Sequence, residues 1–314
     1  MSKNVTDRIW KMREALVATT PEIFANRARL VTESYRETLG MPYVLRRAKA
    51  LDKVLRQMDI CIAEGELVVG SYAGRPRGCQ VYPEYDMAFV IDELDLFEKR
   101  EADRFVVSEE TKAELRALHG DWQGNTIADT ALGIFPEEVR ESAGDGVFLL
   151  TTLRCGIGHI IVDYPLLLRE GVRGLKARIA AQRDALDFGD ARYGEKLVYY
   201  QAADICCDAF VAFAHRFAAL AEEQAAAESD ATRQAELRLI AQNCRRVPEA
   251  PAQNFYEALQ AFWLLHLVLH LESSGHSVSP GRFDQYMIPY YAQDLADGAT
   301  TEAEAEERLH ALWL

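Results

Sequence analysis

Two short stretches gather the side chains that could do chemistry. In Gly156-Ile157-Gly158-His159, two glycines precede a histidine just ahead of a helix that Asp163 can cap, and glycine is what lets a backbone come close to a ligand. In Ser274-Gly275-His276-Ser277-Val278-Ser279-Pro280-Gly281-Arg282-Phe283-Asp284, an apolar helix gives way to hydroxyls, a histidine and an Arg/Asp pair within eleven residues, a concentration that points to a functional loop. Taken by itself, His159 has a structural reading beside the functional one. His266 and His270 stand at i and i+4 on one helix face, but a third metal ligand and the HExxH glutamate are missing, so both read as core-packing or surface residues and no metal is expected. Cys206-Cys207 cannot both face one partner and read as structural thiols. No nucleophile elbow, phosphate loop or complete G-x-G-x-x-G is present, which argues against hydrolase and nucleotide-binding chemistry.

These residues need a scaffold, and the composition supplies one. The 314 residues are 49% hydrophobic and 27% charged, values of a folded globular chain with a sizeable core. A net charge of -14 repels phosphate backbones and anionic lipid headgroups, so neither nucleic acid nor membrane is an expected partner. The N-terminus lacks the apolar core of a signal peptide, which places the protein in the cytoplasm. Six irregularly spaced cysteines without a C-x-x-C pair (Cys61, Cys79, Cys155, Cys206, Cys207, Cys244) read as reduced thiols.

Periodicity predicts mostly helix. One helix runs through Ile9, Met12 and Leu16; a second follows Thr20-Pro21-Glu22, read as an N-cap with an N1 proline; a third runs from about Pro42 to Met58 with a basic outer face. Glu66 to Gly70 reads as a short strand and Arg75 to Gly78 as a loop. Further helices are expected over Glu84 to Arg100, after Ser108, from Tyr164 to about Leu186, from Val198 to Arg245 with a break near Ser229-Asp230, from Phe255 to Leu271, and after Thr301. The apolar run Val147-Phe148-Leu149-Leu150 follows a Gly144-Asp145-Gly146 break. The last helix reaches Leu314 with no C-cap glycine or polar tail, the look of an interrupted element. No repeat or linker divides the chain.

Several segments together resemble the pyruvate formate-lyase domain of the glycyl radical enzymes. They are Arg46-Arg47-Ala48-Lys49-Ala50-Leu51, Pro83-Glu84-Tyr85, Asp121-Trp122-Gln123-Gly124-Asn125-Thr126, Gly156-Ile157-Gly158-His159 with Asp163-Tyr164, and Phe255-Tyr256-Glu257-Ala258-Leu259-Gln260 leading into Ser279-Pro280-Gly281-Arg282-Phe283-Asp284-Gln285-Tyr286. The last is the most specific, and the match spans nearly the whole chain. The resemblance implies an α/β fold, predominantly helical, in which residues 1–314 form the N-terminal part of a ten-stranded α/β barrel. Family members are more than twice as long. The Gly-Cys-Val-Glu loop, whose cysteine becomes the thiyl radical, and the Arg-Val-Ala-Gly-Tyr loop, whose glycine stores the radical, are absent here. Gly78-Cys79-Gln80-Val81 only mimics the first, and Cys79 is given no catalytic role. A half barrel should also expose apolar helix faces and strand edges, leaving this chain alone inert and prone to aggregate.

Within that family, His159 with His276 and Ser277 resembles the cobalamin-independent glycerol and propane-1,2-diol dehydratases. The resemblance implies that His159 is catalytic, helping water leave, and that His276 and Ser277 bind the diol. The chemistry is compatible: neutral donors and acceptors suit a vicinal diol, and histidine, with an unperturbed pKa of about 6.5, can protonate a departing hydroxyl. No cofactor is expected on this chain itself, since the glycyl radical belongs to the missing C-terminal part. A radical S-adenosylmethionine activating enzyme, anaerobic conditions and a homodimer when full length are also implied. Formate C-acetyltransferase-like chemistry, hydroxyproline dehydration and choline cleavage are alternatives inside the family. The non-catalytic binding half of a split enzyme is an alternative outside it, one against which the uncapped end at Leu314 argues.

Overall fold

Capping chemistry sets most of the helix boundaries. The computed structural model describes residues 5–148 and 156–314, so Leu149-Leu150 of the apolar run and Cys155 lie outside the described residues. Thr6 accepts from the Ile9 amide to start α1 (Asp7–Ala18), and Ser108 does the same for Thr111 at α5 (Glu109–Trp122). Thr126 and Asp129 form a reciprocal capping box at α6 (Ile127–Ile134), which is followed by α7 (Glu137–Gly144). Asp163 caps α8 (Tyr164–Asp184), as expected, and the anticipated break near Ser229-Asp230 separates α9 (Tyr193–Ala227) from α10 (Ala231–Arg246), with Asp230 capping the latter. Asn254 caps α11 (Phe255–Glu272); α12 (Phe283–Ala296) follows, and Thr301 with Glu304 boxes α13 (Glu302–Trp313).

The predominantly helical reading holds. Among the described residues the only strands are β1 (Glu22–Phe24) and β2 (Gly78–Gln80), which pair in parallel with Ile23 opposite Cys79. Three local expectations are corrected. Thr20-Pro21 does not cap a helix, because Ile23 N bonds to Val106 O (2.9 Å) and Pro21 O takes the Val106 amide (2.8 Å); α2 (Asn26–Glu37) therefore begins only at Asn26. The helix expected to reach Arg100 ends at Glu93 as α4 (Pro83–Glu93), and it is kinked where Asp86 leaves helical φ/ψ. Glu66 to Gly70 is not a strand: the chain bends at Leu67 and Val68 and pairs with no other strand. Several of its backbone polar groups are met by side chains of α11: Gln260 takes both the amide (3.0 Å) and the carbonyl (2.7 Å) of Val69, the Tyr256 hydroxyl donates to Leu67 O, and Trp263 Nε1 donates to Gly70 O (3.4 Å).

The core lies between α3 (Tyr43–Gln57), α9 and α10 on one side and the almost entirely buried first half of α11 on the other. Phe210, Phe213 and Phe217 recur at helical spacing on α9, with Ala214, Ala218 and Ala221 keeping the neighbouring helices close. Each buried phenylalanine contributes roughly 1.5–3 kcal/mol. By length and composition α9 could cross a membrane, but this apolar face is committed to the core.

Because Gln260 is buried and its amide supplies both partners of Val69, removing it orphans two buried backbone groups. Gln260→Leu should lower stability by about 2–4 kcal/mol in urea unfolding at unchanged m-value, whereas a loss under 1 kcal/mol would show that the 66–70 segment re-pairs elsewhere.

Candidate active site

The two stretches singled out in the sequence lie against each other. Segment 156–161, which leads into α8, and segment 273–279, which leaves α11, run in parallel. His159 N donates to His276 O (2.9 Å), Ser279 N donates to Ile160 O (2.9 Å), and Ile161 bridges Ser279. Gly156 N adds a bond to Ser274 Oγ (3.1 Å). The backbones approach so closely that no Cβ fits between them. A Cβ on Gly158 would sit 2.2 Å from His276 O, and one on Gly275 would sit 1.8 Å from Ile157 O. The glycines flanking His159 thus serve the approach of one segment to the other, a use of close packing that the sequence had suggested for a ligand.

The pairing brings the three predicted residues together. The imidazoles of His159 and His276 meet edge to face with centroids 4.8 Å apart, and Ser277 follows directly; all three are exposed. His159 (φ +54°) and Ser277 (φ +57°) both occupy the left-handed region, where a side chain costs about 1–2 kcal/mol. Two such outliers on facing segments mark where the backbone is bent to aim side chains rather than to continue a ladder. Beyond them, the Tyr286 hydroxyl donates to Pro280 O (2.7 Å), and its ring stacks on Tyr164 at the start of α8, fixing the Ser279-Pro280-Gly281 turn.

Behind the site Tyr164 hydrogen-bonds His266 Nδ1 (2.9 Å), and His270 lies edge-on to His266 (4.9 Å). Burial pushes the Tyr164 phenol up to about 12 and holds both imidazoles below their ordinary value, His270 in spite of a bond to the Gly275 backbone. No group of three potential metal ligands occurs among the described residues. Cys79 lies in β2 facing the Gln80 carbonyl, its thiol raised by burial, and burial pushes Cys206 and Cys207 up to about 11. At all three, burial favours the protonated thiol over the thiolate.

A residue given no role in the sequence also reaches the site. Tyr85 OH lies 3.2 Å from Ser273 Oγ, which donates to Ile157 O (3.4 Å). Only its place in the Pro83-Glu84-Tyr85 motif hinted at it.

The family model for pyruvate formate lyase-like proteins matches residues 2–314. The chain belongs to that family. It is 36% identical to the Escherichia coli protein named "Probable dehydratase YbiW" over 99% of this chain and 39% of that one. A solved structure from work on 1,2-propanediol dehydration in Roseburia inulinivorans superposes with a TM-score of 0.96 and 41% identity, covering 100% of this chain and 38% of that chain. The glycerol-bound B12-independent glycerol dehydratase of Clostridium butyricum gives 0.95 and 38%, covering 100% and 40%. The chain thus spans about two fifths of the length of these relatives, and the fold expected of it, part of the glycyl radical enzyme barrel, is borne out.

Two tests follow from this geometry. Gly158→Ala should destabilise the fold by about 1–3 kcal/mol, the usual penalty for overpacking, and should speed hydrogen exchange at the His159 amide; an unperturbed amide would show that the segments can part without cost. The lowered pKa values of His266 and His270 mean that the unfolded chain binds protons first on acidification. Their contribution is therefore intact above the ordinary value of 6.5 and is lost as pH falls below it towards the folded values. A His266→Gln/His270→Gln double variant should show a flatter loss of stability between about pH 7 and 5, and an unaltered slope in urea unfolding would assign the acid sensitivity to other groups.

Proposed function

We propose that residues 1–314 are the N-terminal portion of a glycyl radical dehydratase that removes water from a small vicinal diol, glycerol or propane-1,2-diol. The observation that carries this reading is the contact of His159 with His276-Ser277 across paired segments, two of whose residues are held in left-handed backbone. Imidazole and hydroxyl side chains offer both donors and acceptors to two adjacent hydroxyls. On this reading His276 and Ser277 hold the diol in register, and His159 delivers a proton to the hydroxyl that departs as water. On this proposal, hydrogen abstraction from carbon is the chemistry of a glycyl radical and a cysteine partner outside residues 1–314. An activating radical S-adenosylmethionine enzyme, a homodimer and a cytoplasmic, anaerobic setting belong to the same proposal. The solved structures that concern glycerol and 1,2-propanediol support the diol over the other substrates of the family.

The test is anaerobic turnover by the activated full-length protein. Dehydration should convert propane-1,2-diol to propanal and glycerol to 3-hydroxypropanal, each with one water released. His159→Gln should lower kcat by about 10²–10⁴-fold, the range for loss of a general acid, while Ser277→Ala should chiefly raise KM. Turnover of another substrate class with neither diol consumed would replace the reading.

A further inference from the structure

The site segments are tied from behind by a run of hydrogen bonds that passes beside a half-buried ion pair. Arg47 pairs with Glu272, the residue before Ser273 in the chain. Tyr85, only 4% exposed, lies 3.2 Å from Ser273 Oγ, and Ser273 Oγ donates to Ile157 O (3.4 Å). A serine has one hydroxyl proton, so the directions are fixed: Tyr85 donates to Ser273, and Ser273 to the carbonyl two residues before His159. Tyr85 also presses on Gly156, whose Cβ, if present, would lie 2.8 Å from the phenol oxygen. One hydroxyl thus touches both segments, three residues from His276 on one side and three from His159 on the other.

We propose that Tyr85 is a positioning residue: through Ser273 it sets the register of the His159 segment against the His276-Ser277 segment. The proposal deepens the diol dehydratase reading and rests on it for its kinetic consequence, while its structural consequence stands apart. Tyr85 does not touch substrate. Its effect runs through the distance between groups that must engage neighbouring hydroxyls together, and a small misplacement there costs far more in rate than one hydrogen bond costs in stability.

The experiment uses the full-length protein with Tyr85→Phe, Ser273→Ala and the double variant. Tyr85→Phe keeps the ring and removes only the donor. Expected are a kcat/KM for propane-1,2-diol lowered at least about tenfold in each single variant, a double variant no worse than the weaker single, because both act through one bond, and little change in melting temperature. Hydrogen exchange in residues 156–161 should rise at least about tenfold while α9 stays protected. Additive losses, or losses matched by a falling folded fraction, would reduce Tyr85 to a packing residue and overturn the proposal. Unchanged exchange in residues 156–161 would overturn it too. If the wild type turns over neither diol, the functional reading fails, and the exchange measurement alone then decides whether Tyr85 holds the segments.

Discussion

A guanidinium shut away from water decides where α11 stops. Arg27 uses all five of its N–H groups: Nε on Leu271 O (2.8 Å), the two Nη on both carboxylate oxygens of Glu84 (2.6 and 3.1 Å), and the remaining donors on Val81 O (3.4 Å) and Glu272 O (3.3 Å). Its flat face lies 3.7 Å from the Tyr82 ring, whose hydroxyl donates to His270 O (2.5 Å). The last carbonyls of the helix, which would otherwise be orphaned in the interior, are therefore all met by side chains. A lysine offers three donors around a point charge and could not span this set. Since a buried ion pair stabilises only when its remaining hydrogen bonds are complete, the completeness of this one is what lets the chain bury charge here and still leave α11 in a fixed direction.

That direction is what the site inherits. The 273–279 segment emerges with its register against 156–161 already constrained, and the glycine contacts and left-handed residues refine what the helix end has aimed. A second ion pair, Arg47 with Glu272, stands beside the first around a cavity of about 20 Å³, the size of one water molecule. Positioning is thus layered: buried charge fixes a helix end, hydroxyls extend that order to the loops, and the loops carry the imidazoles.

Local chemistry was legible in the sequence. Caps at Ser108, Asp163, Asp230 and Thr301 are short-range hydrogen bonds that a four-residue window contains, and the two functional stretches stood out by composition. What escaped was set by distant partners. Glu66 to Gly70 has the β-rich composition of a strand, yet Gln260, some 190 residues later, satisfies it from a helix. Pro21 carries the signature of a helix start, yet Val106 claims the backbone on either side of it. Arg47 and Tyr85 lay within motifs that supported the family resemblance, but nothing local told that Arg47 pairs with Glu272 or that Tyr85 reaches Ser273, 188 residues beyond it. Motif membership identified these residues as family traits, and only the fold supplies a reason for them.

The same geometry shows what the site still needs. His159, His276 and Ser277 meet water in these 314 residues, and so do Ile157 (74% exposed) and Ile161 (65%), apolar side chains on the very segment that carries a candidate proton donor. Loss of water from a radical intermediate demands a site from which bulk water is excluded, because solvent weakens every hydrogen bond that holds the diol and quenches reactive species. A cradle built from one pair of segments can orient hydroxyls but cannot enclose them. On the proposed reading, a cover over this face is required for turnover, and the exposed isoleucines give that face an apolar rim. The cradle can be ordered before the cover arrives because its order comes from behind, from Arg27, Arg47 and Tyr85, and not from the face that substrate and cover share.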